Sequence, residues 1–508
     1  MEIRGFLCYN RNYGKNRKLN SFVTISNNQS MIGKKQKYAV ALGETRTSKK
    51  YAVTLVVCYL LAATLWFALG AIVPYTVDIE VTAEQNARLT RAAFSATQEQ
   101  IDRNDEDKPR VALMPTSEET FVQRLRLVES AEKSIDFMVY DSYEDVGAEY
   151  FYTALFRAAE RGVKVRVLVD GKLGKLNGAL KPLESVLSFH NNIGLYYFNK
   201  VNIFRPEGLL VLCHDKVTVV DGEKMIVGGA NMGMGAYTAN FDMEALILND
   251  GESVKRAEEY ITGILSNTKL AKRKRTKKCD ISIMAGYENR LNAYLSEKRN
   301  CPDYEKRAVA VDKITYLTNP ISDGKKAPII YQALINLAAS SKETTIVTPY
   351  ALLVDKKINR IKRIAAQSDS FTIITNSLYN TRNAAYAEYY NHREKYIDEN
   401  IELWEYQAQN QLHAKIYSFD RRYSVIGSFN LDERSAHIDT ESVVIIDSEA
   451  FNAVLGEYIE TQFKQNSLRV GADNEYMPSD KVTAGAVSKE KRAKYKLYSL
   501  MGALINLL

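Results

Sequence analysis

Two histidines, two lysines and two asparagines carry the chemistry legible in this chain. His413 and Lys415 stand two apart, Asp420 follows at a turn, and Gly427, Ser428 and Asn430 end the next apolar run. About two hundred residues upstream, His214, Lys216, Asp221, Gly228, Gly229 and Asn231 repeat the same offsets. The pattern His-x-Lys-x4-Asp-x6-Gly-(Gly/Ser)-x-Asn therefore occurs twice, and a carboxylate follows each copy, Glu244 after Asn231 and Glu441 after Asn430. A single His-x-Lys pair would decorate the exposed face of a strand. Two complete copies describe two halves of one site.

The chemistry these residues suit is transfer of a phosphate diester. Residues i and i+2 of an extended segment share a face, so each copy offers an imidazole beside an ammonium. Lys216, Lys415, Asn231 and Asn430 can stabilise the charge on a transferring phosphoryl group. No metal and no cofactor is required, and chelators should leave such a reaction untouched. One histidine attacks phosphorus to form a phosphohistidine, and the other protonates the departing alkoxide and then deprotonates the incoming alcohol. A nucleophilic imidazole needs its far nitrogen held by an acceptor. Glu244 and Glu441 are the candidates for that duty, whereas Asp221 and Asp420, at strand-to-strand turns, are expected to be structural.

The elements that must position these groups alternate along the chain. Ser117 opens a helix, IDFMVY is a strand, residues 148–161 form an amphipathic helix closed by Gly162, and VKVRVLVDG is a second strand. The first motif hairpin, residues 209–231, follows, with Glu244 on a further strand. The second half repeats the order: a helix over 331–341, the strand and loop TTIVTPYALLV, a helix over 356–366, the strands FTIITNSLYNT and IELWEY, and the second hairpin. Such alternation predicts mixed sheets flanked by helices. Two α/β domains packed face to face would bring both motifs to one central cleft.

The expected division of the chain is a basic disordered tail at 1–50, a transmembrane helix at 51–75, a stalk at 76–110 and a first catalytic domain at 111–268. A basic linker at 269–310, a second catalytic domain at 311–488 and a basic, then apolar, helix at 489–508 follow. Residues 51–75 are uncharged throughout and long enough to cross a bilayer. The net charge of +7 is concentrated in the first fifty residues, which hold eleven Lys and Arg against two Glu. By the positive-inside rule the N-terminus is cytoplasmic and the catalytic body lies outside. Met31 is an alternative start.

Beyond residue 50 the chain is close to neutral, which speaks against a general nucleic-acid binder. The cluster Lys269–Lys278 is read as a solvated face between domains, with contact to anionic lipid as the alternative. The helix at 489–508 is expected to pack on the second domain rather than lie on a membrane. Cys8, Cys58, Cys213, Cys279 and Cys301 form no disulfide framework.

The paired motif resembles the signature of the phospholipase D superfamily. The segments AAERGVKVRVLVDG, ITNSLYNTRNAAYAEYYNHREKYIDENIELWEYQ and GSFNLDERSAHIDTES are similar to bacterial cardiolipin synthases, particularly the C-type branch, and the likeness runs from about residue 113 to 447. The resemblance implies two phospholipase D-like domains around one active site, His214 as nucleophile, His413 as acid and base, and phospholipid substrates. Phosphatidylglycerol would be the first of these and phosphatidylethanolamine a second. The chain departs from that family at Val211, Leu212 and Ala230, where arginines are common. Transfer to a lipid hydroxyl is therefore the leading reading, and hydrolysis by a phospholipase D or a nuclease of the same mechanism is the alternative.

Overall fold

A computed structural model describes residues 51, 53–66, 69, 70, 77, 79–202, 204, 205 and 208–499. The chain divides into two compact units, Met1–Trp66 and Phe67–Leu508. In the first, residues 51 and 53–66 are helical with exposed side chains. Among the described residues no helix is long and apolar enough to cross a membrane. The tail expected at 1–50, and residues 52, 67, 68 and 71–75 of the expected span, lie outside the described residues.

The second unit contains two large mixed sheets of like design. In the first, the strands run in the order Val309–Ala310, Arg110–Pro115, Met243–Leu248, Lys224–Gly228, Val217–Val220, Ser134–Val139, Lys164–Asp170, Ile193–Phe198 and Ala271–Lys274. In the second, Lys313–Thr318, Ser442–Asp447, Tyr423–Gly427, Ile416–Phe419, Glu343–Val347, Ser370–Asn376, Glu402–Tyr406 and Ser467–Arg469 follow the same plan. Each sheet has three parallel strands joined by helical crossovers, with the motif hairpin antiparallel beside them. The motif strands Val217–Val220 and Tyr423–Gly427 are buried along their whole length, and Lys224–Gly228 and Ile416–Phe419 at all but one position each, so they read as largely apolar runs rather than alternating ones.

Local chemistry sets the element ends. Ser117 caps the helix Glu118–Glu129 by accepting from the Thr120 amide, and Gly162, at φ 101°, turns the chain out of Val146–Glu160 into the next strand. One hydrophobic core joins the halves: Val217, Met225 and Ile247 of the first pack in the same cluster as Ile416, Ile426 and Val444 of the second. The motif strands of the two sheets therefore meet across the middle of the unit.

Two expected boundaries shift. The segment expected as a stalk is docked against the second half: Leu89 and Phe94 are buried in its core, the Arg91 guanidinium pairs with Asp420 and lies 4.8 Å from the Tyr423 ring centroid, and the Ala96 amide donates to Asp447. Its few apolar residues are spaced to reach a core, which its charged composition conceals. The segment expected as a linker supplies the edge strand Ala271–Lys274 and the helix Met284–Glu297, whose Met284 and Leu291 join the first core. The helix Lys489–Ser499 packs through Tyr495 on the second half.

Candidate active site

Each motif histidine lies three residues ahead of its hairpin strand, Val217–Val220 or Ile416–Phe419, rather than on it, and is placed by the opposite half of the molecule. The His214 amide donates to the Thr440 carbonyl, and the Thr440 amide donates back to Leu212. On the other side Gln411–Leu412 pairs with Asn240–Phe241, and the amides of His413 and Ala414 both donate to the Phe241 carbonyl. Because Thr440 precedes Glu441 and Phe241 precedes Asp242, each histidine is delivered to a carboxylate of the other half. His214 Nδ1 lies 2.9 Å from Glu441 Oε1, and His413 Nδ1 lies 2.5 Å from Asp242 Oδ2.

Glu244 is not at either histidine. It is fully buried inside the first half, paired to the Arg124 guanidinium and accepting from the Tyr237 hydroxyl at 3.0 Å. Arg124 also donates to Tyr237 at 2.8 Å and to Thr218, so this pair braces the helix Glu118–Glu129 against the motif strand. The carboxylate that meets His413 is Asp242, and the sequence held the signal for it. Asp242 lies eleven residues after Asn231, as Glu441 does after Asn430, whereas Glu244 lies thirteen after. Matching residue type instead of offset selects the wrong acid.

The lysines are buried beside their histidines. Lys216 Nζ donates to the His214 carbonyl at 2.5 Å, and Lys415 Nζ lies 2.9 Å from His413 Nδ1 and 3.8 Å from Asp242 Oδ2. The Tyr140 ring stands edge-on to His214, with centroids 5.0 Å apart, and Lys216 Nζ is 5.2 Å from its centre. Asn231 and Asn430 face the same cavity, and the side-chain oxygen of each is buried without a hydrogen-bond partner. Ser428 and Ser435 both donate to Glu441, one to each oxygen. At the position of Ser428 the first copy has Gly229, where a Cβ would stand 2.2 Å from Asp242 Oδ1. The Gly-or-Ser difference in the motif is thus a difference in how the acid is seated.

The motif aspartates hold the hairpins in place. Asp221, at φ 56°, accepts from the amides of Glu132, Lys133 and Ser134; Asp420, at φ 52°, accepts from Lys342 and Glu343 and pairs with Arg91. Neither approaches the cavity lining.

That lining encloses about 410 Å³ and includes His214, His413, Asn231, Asn430, Tyr140 and Tyr350. Burial, then Lys216, holds the His214 imidazole well below its ordinary range; burial and Lys415 lower His413, against Asp242. Burial alone would raise the Asp242 carboxyl, but Lys415 and His413 outweigh it and keep Asp242 below the usual carboxylate range. Burial pushes Glu441 up to about 8 against Lys216 and the two serines, and burial brings Lys415 down to about 8. The site therefore presents two neutral imidazoles, one backed by an ionised acid and the other by an acid poised near neutrality.

Val211, Leu212 and Ala230 bring no charge to this cavity, but Arg434 does. Its guanidinium lines the cavity, bonded to Asp439 at 2.9 Å and to the Leu210 carbonyl at 2.8 Å, so a cation from the second half stands where the first motif lacks one.

The chain is similar to known proteins. The family described as cardiolipin synthase, PLD-like domain, matches residues 125–265 and 333–465. Cardiolipin synthase C of Escherichia coli (strain K12) is 25% identical over 396 residues, covering 68% of this chain and 83% of its own length. An uncharacterized protein of Helicobacter pylori (strain J99) is 26% identical over 387 residues, covering 66% of this chain and 75% of its own. The crystal structure of phosphatidylserine synthase from Haemophilus influenzae Rd KW20 superposes with a TM-score of 0.58 at 15% identity, covering 83% of this chain and 98% of that one. That likeness shows the shared tandem fold.

Proposed function

This chain belongs to the phospholipase D superfamily, in the family of cardiolipin synthase PLD-like domains, and on that premise we propose that it moves a phosphatidyl group from one phospholipid to the hydroxyl of another. The observation that carries the reading is the reciprocal pairing of His214 with Glu441 and of His413 with Asp242 around one cavity.

His214 is the nucleophile. Its Nδ1–H, donated to Glu441, leaves the lone pair on Nε2, which attacks phosphorus as the bond to the leaving alkoxide breaks. His413, neutral in the free site, must take up a proton as the anionic phosphodiester binds, and as the imidazolium it gives its Nε2 proton to that alkoxide. The ionised Asp242 supports this charge better than Glu441 could support it on His214, which is why the roles fall this way round. In the second step His413, now neutral, takes the proton of the acceptor hydroxyl, whose oxygen attacks phosphorus and breaks the P–N bond. Lys216, Lys415 and the Asn231 and Asn430 amides hold the phosphoryl oxygens throughout.

A glycerol-headed lipid such as phosphatidylglycerol is the acceptor, with phosphatidylglycerol or phosphatidylethanolamine as donor. Residues 51–75 anchor the chain in the membrane as a single span, with the N-terminus cytoplasmic and the catalytic body outside. The domain reading is two catalytic halves, with the clasp at 79–108 and the helix Met284–Glu297 attached to them.

Product analysis tests the reaction. The purified full chain in vesicles of phosphatidylglycerol and phosphatidylethanolamine should make cardiolipin, and His413→Ala should make none. Phosphatidic acid as the product would make water the acceptor and replace transfer with hydrolysis.

A further inference from the structure

The walls of the catalytic cavity carry an unusual surface. From residue 79 onward, the five most exposed large apolar side chains among the described residues are Phe204 (82%), Leu497 (61%), Leu173 (58%), Val201 (57%) and Val354 (50%). Scattered exposed apolar residues need no explanation, but four of these sit in segments that reach the cavity lining, and the fifth, Leu173, follows Lys172, which donates to the Val211 carbonyl beside cavity-lining Leu212. Val201 and Phe204 belong to the loop that ends at cavity-lining Leu212; Val354 lies two residues past Leu352, and Leu497 is next to Tyr498, both of which line it. Leu173 is in the loop after the parallel strand Lys164–Asp170.

These side chains are held outward by their surroundings. The Lys172 ammonium donates to the Gly208 and Val211 carbonyls, the Asn199 amide donates to the same two, and Arg205 pairs with Asp323. The helix Lys489–Ser499 is fixed by Lys491, which donates to the Tyr379 and Thr381 carbonyls, and by buried Tyr495. Several large apolar side chains exposed in segments near one cavity mark an interaction surface.

The charge beside these residues is positive. The helix Lys489–Ser499 carries five basic residues against Glu490. Next to Val201 in the chain, Lys200 stands near Lys175 and Lys274, and burial together with these like charges lowers its pKa. Apolar side chains interleaved with lysine and arginine around an opening fit an interface that is apolar within and anionic at its surface.

We propose that this rim is a bilayer-docking surface: Phe204, Val201, Leu173, Val354 and Leu497 enter the boundary of headgroups and acyl chains, and Lys175, Lys200, Lys274, Lys489, Arg492 and Lys494 engage anionic headgroups. A lipid phosphate could then reach His214 without its acyl chains leaving the membrane. The inference deepens the phosphatidyl-transfer reading and rests on it for its purpose, though the surface is tested independently of turnover.

The test uses the full chain in phosphatidylglycerol vesicles containing lipids brominated on the acyl chains. Phe204→Trp adds a third tryptophan to Trp66 and Trp404, and its added emission should be quenched relative to wild type. Added emission that the brominated lipids leave unchanged would overturn the proposal. In parallel, Phe204→Ser with Leu497→Ser should slow turnover of vesicle lipid by roughly tenfold or more while sparing a water-soluble short-chain phosphodiester. Undiminished turnover of vesicle lipid would also overturn it. If wild type turns over neither substrate, the transfer reading fails, and quenching alone decides the docking surface.

Discussion

His413 Nδ1 and Asp242 Oδ2 stand 2.5 Å apart across the boundary between the two halves of the molecule. The acid that serves the second motif comes from the first, just as Glu441 of the second half serves His214. Neither half alone holds a motif histidine with its acid.

This crossing separates two carboxylates that lie two residues apart in the chain. Asp242→Asn should reduce turnover by about 10²–10⁴-fold, the range supplied by a positioned proton-transfer group, whatever it also costs in stability through buried Lys415. Glu244→Gln touches neither motif histidine and should act through the fold alone, leaving Arg124 buried without its counter-charge at a cost of about 3–5 kcal/mol. Steady-state kinetics beside urea unfolding of both variants checks this.

Gly229 offers a second way to reach the same pair. Its Cβ would lie 2.2 Å from Asp242 Oδ1 and 2.8 Å from Cγ, both in a buried carboxylate that would have to shift. Gly229→Ala should therefore push Asp242 off His413 and lower kcat by at least about tenfold. In the equivalent position Ser428→Ala removes a donor that favours the Glu441 carboxylate.

That loss should be visible in the pH profile. Glu441, raised to about 8, must be ionised to accept Nδ1–H from His214, so the rate should rise as pH rises through this value. Lys415, lowered to about 8, must stay protonated to stabilise the phosphoryl group, so the rate should fall as pH rises further. His413, which must be protonated to act as the acid and is held below its ordinary range, adds a second alkaline limb at lower pH, so the maximum is low and narrow. Glu441→Gln should remove the acid limb, Ser428→Ala should move it to higher pH, and Lys415→Arg should remove the limb near pH 8 and leave that of His413. Measuring kcat/KM from pH 6 to 10 for the four proteins separates these outcomes.

Much of this site is legible in the sequence because its residues recur at fixed offsets, and a repeat of that length places His214, Lys216, Asn231, His413, Lys415 and Asn430 around one cavity before any coordinates are drawn. The strands are legible as well, since buried β-structure is written as unbroken apolar runs bounded by turn residues. Asp242 is missed where residue type is weighed above spacing. Arg124 gives no sign of itself: a lone arginine in an amphipathic helix reads as surface, and only the packing of that helix on the sheet brings it to Glu244. The segment at 79–108 is misread for the same reason, because Leu89 and Phe94 are too few to signal that it belongs to a core. Tertiary pairing, rather than local propensity, decides these three.

The most direct measurement is a search for the covalent intermediate. His413→Ala, mixed with a phosphatidyl ester of p-nitrophenol, quenched in base and digested, should carry a phosphatidyl group on His214 by mass spectrometry, because this activated leaving group departs without His413 as its acid, whereas the acceptor still needs His413 as a base. His214→Ala should carry none. An adduct on His413 in the His214→Ala protein, or no adduct in either, would contradict the assignment of His214 as the nucleophile.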